Sequence, residues 1–513
     1  MGLLVNCIRL FFVLLFPFGW FFSSDLLSGQ YAYYLLLNSV ALGSSVAFLF
    51  VMRNILMKDI HLWVIFLIYQ MGYFVTFYIL CYMKTRYQDY ASYLDSAFSN
   101  EMELLNSSAL IVSYFETVTL VLVAFTTLVI ALKLVSQCSS FTLRQPDTKG
   151  DSEIPIKLSH STLKRLLLVT IVISAILLLI QSHLGLGITS GADRQVVQLP
   201  YRLNGIIMAL ITGFLPLVYI GILWLADRIR SPILASRGIT AYLVFGVVSG
   251  LISTSKEPLM IVVVAMSVLW LVTGTFTKNR FRLIMALVPF IIVFNIFLAV
   301  NRMMRSLFED LGMVEIFMLV LKTGLSVDYE IYASEFSISG LSAVLAPLMR
   351  IDGSGPLLGI VNYAPSFDLD RVLSIVFESG LSVDALFVTE VLGEAIRDGL
   401  AFSPSLIGYF LFIFGNPWLV CIGVSLYTLV WHMIFRALTG LRLKATPILI
   451  SLMIVTLARF TISGTLEAMP QSIAMVLIFG LIAEFCLVRA FGRSSRQTSF
   501  PSSQRYSLSD SQQ

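Results

Sequence analysis

Ala401-Phe402-Ser403-Pro404-Ser405-Leu406-Ile407-Gly408 closes the one long interval of this chain, residues 301–408, that contains no hydrophobic run able to span a bilayer. The interval opens on Arg302 and Arg305 at the end of an apolar run. Outside it, nearly the whole chain reads as membrane helix. Ser403-Pro404 has the form of a helix start, with serine as N-cap and proline at the first helical position. The apolar helix expected from Ser405 to Phe414 is short, and Asn416-Pro417 interrupts it before the next full-length run. A short helix that breaks next to a span suggests a re-entrant or tilted element lining a cavity.

Composition agrees. Hydrophobic residues make up 58% of the chain and charged residues 12%, with a mean hydropathy of +0.88. A soluble domain carries about 25% charged residues, so the expected class is an all-α polytopic integral membrane protein. Apolar runs lie at about residues 3–22, 31–52, 62–83, 109–134, 166–186, 205–226, 239–252, 259–275 and 283–300, and again at 418–435, 447–461 and 472–488. That makes about twelve transmembrane helices: nine within residues 1–300 and three within 409–490, separated by the long interval. The first run contains Arg9 and lacks a small-residue cleavage site after it, so it reads as a retained helix. The serine-rich tail, residues 491–513, reads as disordered.

Charge placement orients the helices. The basic loops 53–61, 133–165, 227–237, 277–282 and 436–444, together with the start of the tail, all fall on one side of a twelve-helix chain. The positive-inside rule makes that side cytoplasmic, with both termini inside. The long interval then lies outside as a large extracytoplasmic loop. It holds fourteen acidic and six basic residues up to Phe402. Its apolar pieces at 316–320, 341–349 and 357–361 are too short to span, and suggest short surface helices packed on the membrane. No internal repeat is visible, which counts against repeat-built transporter folds.

A net charge of +4 gives no support for nucleic-acid binding. Cys7, Cys81, Cys138, Cys421 and Cys486 show no ligand spacing, and His61, His160, His183 and His432 are far apart in sequence, so neither a disulfide framework nor a metal site is expected. The informative groups are charges on the outer side near helix ends: Asp193, Arg194 and Arg202; Lys256-Glu257 in a tight turn between two short runs; Arg302 and Arg305; and Glu467 between the last two runs. Each is commonly a snorkelling or solvated charge. Several cations converging there would suit a phosphate-bearing ligand, since arginine grips phosphate with a bidentate fork and lysine acts as a point charge.

From about Leu184 to the last helix, the chain resembles the Wzy-type polymerases of O-antigen and related surface polysaccharides, the common-antigen polymerase branch most. Gly399-Leu400-Ala401-Phe402-Ser403-Pro404-Ser405-Leu406-Ile407-Gly408 is similar to the string that closes the big outer loop in that branch. Ser253-Thr254-Ser255-Lys256 stands where the family has an arginine-bearing turn, with Lys256 in place of the arginine. Arg194 matches a family arginine by position, and Gly464-Thr465-Leu466-Glu467 resembles a Gly-Leu-Asp string before the last helix.

The resemblance implies a GT-C-like membrane enzyme of the bacterial inner membrane, with residues 301–408 in the periplasm and the tail in the cytoplasm. It joins oligosaccharide repeat units carried on undecaprenyl diphosphate. No metal, cofactor or nucleotide sugar is expected. Implied partners are the lipid-linked substrates, membrane lipid, and a chain-length regulator and flippase of the same pathway. On shared side and charge, Arg194, Lys256 and Arg302 are assigned to the diphosphate and Glu467 to the role of base. Ser403, Pro404 and Arg305 are assigned to the wall of the site. The rival readings are an O-antigen ligase, which has outer-loop histidines that this chain lacks between His183 and His432, and a transporter or flippase for a lipid-linked or soluble substrate. A non-catalytic scaffold would leave the outer arginines unexplained.

Overall fold

The computed structural model describes residues 2–23, 26, 30–52, 59–86, 104–138, 159–185, 203–253, 255, 257–307, 354–363, 365–367, 383–391, 404–441, 443–464 and 466–491. These residues form helices and no strands. In chain order the helices are α1 Gly2–Ser23, α2 Tyr31–Val51, α3 Ile60–Tyr69, α4 Thr76–Arg86, α5 Ser108–Cys138, α6 His160–Leu184, α7 Leu203–Ala209 and α8 Leu215–Arg228. They continue with α9 Pro232–Ser253, α10 Glu257–Val272, α11 Lys278–Leu307, α12 Ser354–Tyr363, α13 Val383–Leu386, α14 Leu406–Phe414, α15 Pro417–Gly440, α16 Thr446–Ser463 and α17 Met469–Phe491. Wide π-helical turns, Gln70–Val75 and Leu210–Phe214, make α3–α4 and α7–α8 continuous rods.

Each of the twelve apolar runs of the sequence falls on a helix. Among the described residues nine of these helices are long and apolar enough to cross a membrane, the architecture of a polytopic helical membrane protein. The other three are α1 and α11, whose side chains are described only in part, and the 16-residue α10. The first half of the bundle is glued by aromatic side chains: Phe48 stacks on Phe66 at 4.0 Å, and Phe115 meets Tyr34, Phe77 and Phe74 edge-on or tilted. Such pairs matter in a bundle whose outer face meets lipid, because hydrophobic burial drives helix association little when lipid tails are equally apolar.

The hub is α16. It packs on α3, α8, α10, α14, α15 and α17, and most of its side chains are buried. Its first turn is capped from a neighbour: the Ala445 N–H donates to Glu484 Oε2 on α17 at 2.7 Å. A carboxylate at a helix N-terminus satisfies an orphan donor and complements the helix dipole. Nearby, Asp227 at the end of α8 pairs with Arg280 of α11, whose guanidinium also donates to the Thr275 carbonyl at 2.9 Å and lies 4.8 Å over the Trp270 ring.

Candidate functional site

The last turn of α16 and the first turn of α14 meet backbone to backbone. Gly464 ends α16 with φ +72°, and a methyl group on it would sit 2.3 Å from the Ser405 carbonyl oxygen. Only glycine combines that dihedral with that approach. On the other side of the contact, Ser405 is buried with φ 64° and ψ 166°, a region that non-glycine residues enter at a cost of about 1–3 kcal/mol. Helix α14 therefore starts at Leu406, not at the Ser403-Pro404 pair read as its cap. Ser405 supplies the first carbonyl, accepting from the Tyr409 N–H at 2.7 Å, but its hydroxyl makes no cap bond. Among the described residues that buried hydroxyl has no partner.

Two further contacts fix the start of α14. The Ile407 N–H donates to the Tyr73 hydroxyl at 3.0 Å, and Tyr73 stands in the wide turn at the middle of the apolar rod Ile60–Tyr82. The Tyr114 hydroxyl in turn donates to the Tyr73 carbonyl, a bond that steadies the wide turn. At its far end α14 stops at Gly415, φ +60°, where a methyl group would meet the Pro365 carbonyl at 2.2 Å. Asn416 then caps α15, accepting from the Trp418 N–H at 2.9 Å. The described parts of the long interval wrap this short helix. The apolar piece 357–361 lies within α12, which packs on α14 and α5, and Phe387 meets Phe412 edge-on at 6.5 Å. Tyr363 donates to Glu390 at 2.9 Å, tying α12 to the turn Phe387–Val391.

A charge pair stands at the same end of the hub. Arg459 Nε lies 3.2 Å from Glu257 Oε1, both side chains about half exposed. Glu257 opens α10 after a turn that folds back on α9, with the Ser255 N–H donating to the Gly250 carbonyl at 3.0 Å and the Glu257 N–H to Ser255 Oγ at 3.2 Å. Arg459 sits one turn before Gly464, so the guanidinium, the glycine seat and the strained serine belong to one end of the bundle. The sequence reading passed over Arg459 because it lies inside an apolar run. The available signal was an ionisable group within such a run. Glu257 was read with its sequence neighbour Lys256, whereas its partner here comes from another helix.

The residues assigned from the sequence are distributed as follows. Pro404 is buried beside Ser405. Arg302 and Arg305 lie in the final turns of α11, at the end opposite Lys278, about 36 Å of helical rise away. Since α10 descends from Glu257 and α11 returns, both arginines share the Glu257 end. Glu467 lies in the single 3-10 turn Leu466–Ala468 directly after Gly464. The structure thus brings the Pro404-Ser405 and Gly464–Glu467 strings into contact. Arg194, Lys256 and Ser403 lie outside the described residues, as do the side chains of Arg302, Arg305 and Glu467.

A second polar cluster occupies the other end of the bundle. His61 on α3 and His432 on α15 bring Nε2 and Nδ1 to 3.0 Å, so their wide separation in sequence concealed a direct contact. Arg436 Nε donates to His432 Nε2 at 3.4 Å, and Arg436 also lies 3.7 Å from the Asp59 carboxylate. A guanidinium only donates, so His432 Nε2 carries the lone pair, its Nδ1 carries the proton, and His61 Nε2 accepts it. Asp59, His61 and His432 are buried, and their candidate ligand atoms lie within 4.8 Å of one another. Among the described residues this is the group able to gather around a metal ion. The lone pairs of His61 Nε2 and His432 Nε2 each have a donor, and Arg436 faces the Asp59 carboxylate as an ion pair at 3.7 Å.

Comparison with known proteins returns no matching family model, no matching curated protein and no matching solved structure.

Chemically, the α14–α16 end offers a half-exposed guanidinium, two carboxylate positions at helix starts, and a buried hydroxyl with no partner among the described residues at a strained backbone. Such a set can hold an anionic group and accept a proton.

Proposed function

We propose that this protein is a metal-independent glycosyltransferase that polymerises lipid-diphosphate-linked oligosaccharide repeat units at the outer face of a bacterial inner membrane. In this reading the three remaining apolar helices cross as well, giving twelve spans with both termini in the cytoplasm, and α14 is the re-entrant element. The observation that carries the reading is the Ser405–Gly464 contact. The two strings that resemble the polymerase family, one closing the long interval and one preceding the last helix, share a single backbone seat.

The reaction needs three things from the chain. The departing diphosphate must be neutralised as the bond from the anomeric carbon to its oxygen breaks. Arg459 joins Arg194, Lys256 and Arg302 as the groups for this, and its half-exposed position leaves it free to exchange Glu257 for phosphate oxygens. The attacking sugar hydroxyl must lose its proton, which Glu467 would accept. The two lipid-linked chains must meet in line, which is the task of the wall formed by Ser403, Pro404, Ser405 and, from the end of α11, Arg305.

Purified protein in vesicles with lipid-linked repeat units tests this. The expected product is a ladder of longer lipid-linked chains made without any lipid A acceptor. Transfer only when lipid A-core is supplied would indicate a ligase, and movement across the bilayer without lengthening would indicate a transporter.

A further inference from the structure

Helices α6 and α10's predecessor α9 run parallel. Their N-terminal ends are level, since Ser231 Oγ next to α9 lies 3.2 Å from His160 Nδ1 at the start of α6. Antiparallel α8 packs against both and leaves a lateral groove between them with a volume of about 980 Å³. The floor is closed to ligands in polar terms. The Ser174 hydroxyl donates to the Thr170 carbonyl at 2.7 Å and lies 3.1 Å from the Tyr219 hydroxyl, which donates in return. The walls are aliphatic and include Leu168, Leu179 and Val244, all more than half exposed.

The charges in the groove stand at one end only. Lys164 and Arg237 line its mouth in the first turns of α6 and α9, and no carboxylate lines it among the described residues. From Arg237 to Ile252 the groove follows about 22 Å of helical rise, where the lining includes no other charged side chain. An occupant that matches has one anionic head, placed at the end of the bundle that carries the basic loops, and a long apolar body lying along the helices. A sugar or a soluble anion matches only one half of that description.

We propose that the α6–α8–α9 groove is a binding site for an anionic phospholipid, its phosphate between Lys164 and Arg237 and its acyl chains along the aliphatic walls. The site is independent of the reaction proposed for the opposite end. Cations near a membrane surface each add about 1 kcal/mol toward anionic lipid, which for two converts to roughly thirtyfold in affinity.

The test uses the full chain in non-ionic detergent, with lipid retention followed by native mass spectrometry and thermal unfolding. Phosphatidylglycerol is expected to be retained and to raise the unfolding temperature more than phosphatidylcholine does. Lys164→Gln with Arg237→Gln should weaken phosphatidylglycerol about thirtyfold while leaving the unfolding temperature without lipid unchanged. Ala175→Trp, which fills the groove from α6, should abolish retention of both lipids. Equal retention of the two lipids, or phosphatidylglycerol retention untouched by the double charge removal, would overturn the proposal. So would a full thermal effect from inorganic phosphate alone, or preference for a polyisoprenyl phosphate over phosphatidylglycerol.

Discussion

The carbonyl of Ser405 occupies the space that any side chain on Gly464 would need, so the start of the short helix α14 and the end of the hub helix α16 are locked together through main-chain atoms. Gly464→Ala must both leave a left-handed dihedral and push back a buried strand of backbone. Those two effects together cost about 2–5 kcal/mol. Thermal unfolding of the purified variant should fall by several degrees, and chain lengthening in vesicles should be lost. A variant with unchanged unfolding temperature would mean that the contact does not exist in the folded protein.

Ser405 gives the opposite sign. Its dihedrals suit glycine, and its buried hydroxyl has no partner among the described residues. Ser405→Gly should raise stability by about 1 kcal/mol, the relief of strain exceeding the extra chain entropy of glycine. If the hydroxyl faces substrate, lengthening activity falls although the protein unfolds later. A more stable and fully active variant would confine Ser405 to structure.

Arg459 and Glu257 are half exposed, so their pairing adds less than about 1 kcal/mol to stability. Arg459→Ala should leave unfolding nearly unchanged and reduce chain lengthening at least tenfold, and Arg459→Lys should restore little of it if phosphate is gripped by the fork. Normal product lengths from Arg459→Ala at equal protein level would remove it from the diphosphate site.

Tyr73→Phe deletes the acceptor for the Ile407 N–H. A buried donor left without a partner costs about 1–3 kcal/mol. The loss should appear in thermal unfolding, and hydrogen exchange should rise in the first turn of α14 more than in α15.

For the histidine pair, His61→Leu leaves the His432 Nδ1 proton without an acceptor, again about 1–3 kcal/mol. The double variant with His432→Leu should be less destabilised than the sum of the singles, because neither group is then orphaned. Treatment with a chelator should leave the unfolding temperature of the wild-type protein in place. A drop of several degrees on chelation, recovered with zinc, would make Asp59, His61 and His432 a metal centre instead.

The helices were legible in the sequence because each apolar run is long and bounded by charge or proline, and Asn416-Pro417 marked the start of α15 correctly. The extent of α14 was legible to within one residue, Ser405–Phe414 against Leu406–Phe414, but the way it begins was not. Local rules favour a cap at Ser403, but packing on Gly464 moves the first helical residue to Leu406 and strains Ser405, and nothing in an eight-residue string encodes a contact with a distant glycine. Glu257 shows the same limit, since adjacency suggested Lys256 and the fold supplied Arg459. The His61–His432 contact left no trace in spacing, because two helices far apart in the chain carry one histidine each.

The seat of α14 also bears on how the chain is made. Its first turn leans on Gly464, which is synthesised only after α15 and α16 have emerged, so this helix cannot settle in the order in which it leaves the ribosome. Until α16 is in place, residues 404–414 lack this main-chain support, and the Gly464 end of the bundle is completed late, from the C-terminal side.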